Sequence, residues 1–179
     1  MSAKGAGPNL KYDFTDLNRF VRLMDSAGKY VVKVGIFGNK TTRGATSPNK
    51  AKNGGLRKVF KVPQVKTNAE IGFLHEFGSE SGTIPMRSFL RMPLAIKSKE
   101  ILADAFKGAA ELLAKGQIKQ ILARLGVACE KQIQLAFASS GFGQWKPDAP
   151  LTVAIKGSST PLIDTAQLRR SIASQVSES

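Results

Sequence analysis

The chain predicts an α+β fold: a small antiparallel sheet packed against an N-terminal helix and a long helical segment, continuous or kinked, with a long basic loop. Tyr30 to Phe37 is dense in β-branched and aromatic residues and reads as a strand. Residues 98–138 carry apolar residues at three–four spacing, the mark of helix faces turned to a core. Between them, residues 38–57 interleave Gly38, Gly44, Pro48, Gly54 and Gly55 with Asn, Thr, Ser and Lys, which makes a loop.

Each element follows in order. Residues 1–12 are expected to form a flexible arm, because Gly5, Gly7 and Pro8 break any periodicity. Residues 13–176 form a single domain, and 177–179 a short tail. A first helix is expected over Thr15 to Ser26, with Leu17, Phe20, Val21 and Met24 on its buried face and Gly28 ending it. Val59 to Val65 reads as a short edge strand, since Pro63 excludes a central position. Thr67 and Glu70 make a capping box for a helix over Asn68 to Phe77 that stops at Gly78. Ile84 to Leu90 is expected to be extended.

Two helices are expected next, divided or kinked at Gly116. The first, Ser98 to Lys115, turns Leu102, Ala105, Phe106, Ala109, Leu112 and Leu113 inward. The second, Gln117 to Ala138, buries Ile118, Ile121, Leu122, Leu125, Ala128, Cys129, Gln132 and Ala136. Residues 139–161 read as loop. Asp164 caps a single helical turn at Gln167, and Ser171 to Val176 closes the sheet.

Twenty-seven Lys and Arg stand against thirteen Asp and Glu, a net charge of +14. Such a balance suits nucleic acid, an anionic surface or an acidic protein partner. Between Ser26 and Ala69 there are ten basic residues and no acidic one. Within that stretch Lys40, Arg43, Lys50, Lys52, Arg57 and Lys58 are candidate contacts of the basic loop, to DNA or to protein. No apolar run approaches the roughly 18 residues of a membrane span, and the first thirty residues carry no secretory pattern. The expected place of synthesis is cytoplasm.

Chemistry is sparse. Gly35 to Thr41 resembles a phosphate-binding loop, but Asn39 stands where glycine must precede the lysine. His75 is the only histidine and Cys129 the only cysteine, which leaves too few soft ligands for a zinc site. Asp104, Glu111 and Glu130 fall on outward helix faces. Neither a cofactor nor a catalytic constellation is expected, so the chain reads as non-enzymatic.

Two segments say more. One is Ala69-Glu-Ile-Gly-Phe-Leu-His-Glu-Phe-Gly78 followed by Ile84-Pro-Met-Arg-Ser-Phe-Leu90. The other is Gly143-Gln-Trp-Lys-Pro147 followed by Lys156 to Ile172, with Pro161-Leu-Ile-Asp-Thr-Ala-Gln-Leu-Arg-Arg-Ser-Ile172 as its most specific part. Together they resemble the virion morphogenesis (tail completion) family of Mu-like phages over about residues 12–176. Three positions depart from the family pattern. Ala166 stands where glycine is common, which implies helical dihedrals there, and Met86 and Ser88 replace small residues and proline. The resemblance implies a structural virion protein of the phage head–tail junction. It would assemble as a ring, hexamer or dodecamer, that terminates the tail tube or joins it to neck and connector proteins. Phe77, Phe89, Leu90 and Trp145 are then candidate interface anchors, and Arg169 and Arg170 candidate partners of carboxylates on a neighbouring subunit. The alternative expectation, from charge, is a basic DNA- or RNA-binding accessory protein.

Overall fold

A computed structural model describes residues 21–22, 25–38, 67–163 and 166–179. The expected arm, the edge strand 59–65, the Asp164 cap and the basic-loop candidates Lys40, Arg43, Lys50, Lys52, Arg57 and Lys58 lie outside the described residues. So does most of the expected first helix, of which residues 21, 22 and 25–27 are helical.

The architecture is α+β. Strand β1 (Tyr30–Ile36) pairs antiparallel with β2 (Ile172–Glu178), in a register that sets Val32 opposite Val176, Val34 opposite Ser174 and Ile36 opposite Ile172. Because side chains alternate along a strand, these pairs share one face. The helix α5 (Ile118–Ala138) lies across both strands. Ser177 and Glu178, expected in a free tail, instead pair with Val31 and Tyr30.

Helix α1 (Asn68–Phe77) starts as its capping box requires: Thr67 Oγ1 accepts from Glu70 N–H at 3.1 Å, and Thr67 N–H donates to Glu70 Oε2 at 3.2 Å. It ends at Gly78, whose φ of +80° favours glycine. After a segment at 84–90 without regular structure come the short helix α2 (Arg91–Ile96), α3 (Ser98–Phe106) and α4 (Ala109–Ala114).

The single helix expected over Ser98 to Lys115 is therefore two. Gly108, at φ +68°, takes the left-handed conformation that separates α3 from α4. Ile101, Ala105 and Ala109 are buried, whereas Leu102 and Phe106 point outward and are about half exposed. The expected division at Gly116, φ +71°, is observed. Residues 150–156, expected as loop, form α6 (Pro150–Lys156), with proline at its first position, where a missing N–H costs nothing. The single turn α7 (Gln167–Ser171) leads directly into β2.

The core joins α5 to the motif segments. Phe89, Ile133, Ala136, Phe137, Trp145, Leu168 and Ile172 form one buried cluster. Phe137 sits between two aromatic neighbours, Phe89 at 5.4 Å and Trp145 edge-on at 5.7 Å. Full burial of each such side chain contributes about 1.5–3 kcal/mol.

Candidate functional site

The two halves of the first segment, Ala69 to Gly78 and Ile84 to Leu90, meet around one carboxylate. Glu76, near the end of α1, is 4% exposed. Its Oε1 accepts from Ser88 Oγ at 2.7 Å, Arg91 Nε at 2.9 Å and Arg91 N–H at 3.1 Å. Its Oε2 accepts from the N–H groups of Phe89 at 2.8 Å and Leu90 at 2.9 Å. The first turn of α2 has no side-chain cap of its own, so Glu76 caps it from a different helix, where a negative charge also suits the dipole. Ser88 completes the arrangement by accepting from Met92 N–H at 3.0 Å. A proline at that position could make neither bond. Burial alone would push the Glu76 carboxyl up, but the Leu90 N–H, the Ser88 hydroxyl and Arg91 together hold it below the usual glutamate value.

Arg87 performs the second junction. It is 4% exposed, and its Nε donates to Lys146 O at 2.8 Å. Its Nη2 donates to Pro147 O at 3.0 Å and pairs with the Asp148 carboxylate at 3.0 Å. Trp145 Nε1–H donates to Ser88 O at 3.2 Å. The segment after α1 is thus tied to the segment after α5, about sixty residues away in sequence.

With five donors on Glu76, its oxygens are committed to structure rather than to proton transfer. His75 is half-buried, and its carbonyl accepts from Arg87 N–H at 2.7 Å. Burial, then the Glu130 charge, raises the Cys129 thiol pKa, so a thiolate is disfavoured at neutral pH. Cys129, expected on the buried face, is half-buried, and its neighbour Val127 is 63% exposed. Glu130, expected in solvent, is half-buried and accepts from Ser174 N–H on β2. Asp104 and Glu111 are exposed and pair with Lys131 and Lys115. Among the described residues no cluster of three His, Cys, Asp or Glu is placed to hold a metal ion, and no helix is long and apolar enough to cross a membrane.

What the hub holds outward is apolar. Helix α1 is turned inside out: its buried face is Asn68, Gly72 and Glu76, while Phe73 and Phe77 are 64% and 50% exposed. A Cβ at Gly72 would lie 3.1 to 3.4 Å from Ile36, Phe89 and Leu168, so the backbone itself packs on the core. The two rings pack tilted by 42° at 4.8 Å, Arg91 covers Phe77 at 4.4 Å, and exposed Met86 follows in the adjoining segment. The cation–π contact leaves the Arg91 side chain 61% exposed.

Of the expected anchors, Phe77 is at the surface and Leu90 is half-buried against the core. Phe89 and Trp145 are corrections: both lie in the chain's own core, Phe89 wholly buried. Arg169 is half-buried and engaged within the chain, its Nε donating to Gln134 Oε1, while Gln134 Nε2 donates to Arg169 O at 3.1 Å. Arg170 is exposed. Phe73 and Val127 were missed. The i, i+4 pair Phe73 and Phe77, set against Asn68, Gly72 and Glu76, was the available signal for an outward aromatic face. Ala166 is a further correction, since its φ of +57° is left-handed, not helical. Compared with family models, curated proteins and solved structures, the chain matches none.

Proposed function

We propose that the chain is a structural subunit of a phage virion, acting at the head–tail junction as one member of a homo-oligomeric ring of six or twelve copies. The observation that carries the assembly half of this reading is the inverted helix α1, which spends its polar residues on the core and presents Phe73 and Phe77 to solvent. Exposed apolar patches of this kind mark interaction surfaces. The head–tail half rests on the resemblance of Ala69 to Leu90 and Gly143 to Ile172 to tail completion proteins. Its partners would be the tail tube and the neck or connector proteins, and its location the virion. The residues most suggestive of chemistry have structural duties, which supports a non-enzymatic role. In particles made without this chain, filled heads and finished tails should accumulate unjoined, and adding the purified chain should join them. Normal joining in its absence overturns the reading.

A second reading, a DNA- or RNA-binding accessory protein, is favoured by the net charge of +14 and the acid-free stretch from Ser26 to Ala69. It requires an affinity for nucleic acid that falls steeply with salt and is lost when Lys50, Lys52, Arg57 and Lys58 are neutralised.

A further inference from the structure

We infer that the aromatic face of α1 docks into the groove between α3 and α5 of a second copy of this chain, a head-to-tail contact that rests on the assembly reading above. The two surfaces differ in shape. On α1, Glu70, Phe73 and Phe77 fall at i, i+3 and i+7, the spacing with which a helix lays one face into a groove. The receiving surface is a shallow groove of about 450 Å³ whose apolar floor is Ala123, Val127 and Ala128 and whose rim carries Arg124, Lys131 and Asp104.

The charges differ as well. Glu70 and Glu80 are exposed on α1 and the turn that follows it; Arg91, exposed over Phe77, is already ion-paired with Glu76, and His75 and Arg87 are half-buried and buried. Around the groove, Lys131 is already paired with Asp104 at 2.7 Å, while Arg124 is exposed and hydrogen-bonded to the carbonyl of Lys107. The α1 end is therefore acidic and apolar and the groove basic and apolar, on a chain that is basic overall. Complementary faces of this kind select orientation and register. Two different faces can pair reciprocally in a two-fold dimer or run head to tail, and the ring of the assembly reading requires the second: each copy gives α1 to one neighbour and its groove to another. Such contacts close into a ring or run on as a filament.

The test uses the full chain and two variants, each spoiling one face. Phe73→Ser with Phe77→Ser removes the knob, and Val127→Glu places a repelling carboxylate in the groove. All three positions are exposed, so circular dichroism and the unfolding midpoint should be unchanged. Should the serine pair fail to fold, Glu80→Lys on the exposed turn replaces it. In sedimentation velocity the unmodified chain should associate beyond a dimer, and each variant alone should associate about thirtyfold more weakly. Mixed together, the two variants should give a one-to-one dimer that grows no further, since only one intact pair of faces remains. Association that persists in both variants, or a mixture that gives no dimer, overturns the docking while leaving another ring contact open. An unmodified chain that remains monomeric at high concentration overturns the docking and the self-assembled ring together.

Discussion

Glu76 shows how a single carboxylate organises its surroundings. Replacing it by glutamine keeps the shape but turns an NH2 group toward N–H donors and leaves Arg91 without its charge partner, so Glu76→Gln should destabilise the fold by about 3 kcal/mol at neutral pH. Chemical denaturation measures this directly. The pH dependence has a defined sign. The folded carboxyl titrates below the ordinary value of 4.5, so between the two values the unfolded chain binds more protons, and Glu76 contributes stability that is complete above 4.5 and lost as pH falls through the folded value. The gap between the native chain and Glu76→Gln should narrow as pH falls below 4.5 and stay constant above it. Ala166 works in the opposite direction. A non-glycine residue at φ +57° carries strain, and Ala166→Gly should stabilise the chain by up to about 1 kcal/mol, the relief of that strain offset in part by a more flexible unfolded state. An unchanged or lower unfolding midpoint would count against strain at Ala166. Neither role was legible in the sequence. The donors to Glu76 lie twelve to fifteen residues further along the chain, and a backbone dihedral leaves no mark when alanine occupies the position.

Elements were legible where their signals are local. The capping box at Thr67 and Glu70, the strand from Tyr30 and the stop at Gly78 each depend on a few adjacent residues, and all are observed. The inward face before Gly108 was only partly legible. Ala105 and Ala109 are buried as expected, but that face centres on Ile101, Ala105 and Ala109, so Leu102 and Phe106, one position further round the helix, were expected inside and are outside. The inversion of α1 was hidden for a different reason: hydrophobic periodicity cannot show that a glycine packs backbone against the core. Close approach at α5 yields a prediction of the same kind. A Cβ on Gly126 would come 2.5 Å from Ser174 Oγ and 2.8 Å from its Cβ, so Gly126→Ala should gain in helix propensity yet lose stability overall, by about 1–3 kcal/mol, as α5 is pushed off β2. Adding Ser174→Gly to that variant should recover part of the loss. If Gly126→Ala proves more stable than the native chain, the helix and sheet are not in close contact there.

The expected α+β fold class describes the molecule at its largest scale, but the links that unite it were not legible, because Arg87 and Asp148 carry no shared pattern in the chain. Their buried pair makes the segment after α1 and the segment after α5 one structure, and removing the cation alone would cost the Asp148 carboxylate its Arg87 contact. Function at this scale turns on what the net charge of +14 does, and the two readings of the protein respond to salt in opposite ways. Binding to nucleic acid releases counterions, so its affinity falls with any added salt, by roughly 0.9 in log Kobs per log unit of salt for each phosphate contacted. Association through Phe73, Phe77 and the α3–α5 groove buries apolar surface, which sulfate strengthens by its exclusion from protein surfaces. The charged pairs at the rim work the other way, but exposed pairs contribute only about 0.2–1 kcal/mol each, less than a buried aromatic anchor. Added sodium sulfate should therefore raise the mass of the unmodified chain in sedimentation velocity and release it from DNA. A chain that loses its self-association in sulfate, as well as its DNA, would show that charge and not the aromatic face holds its copies together.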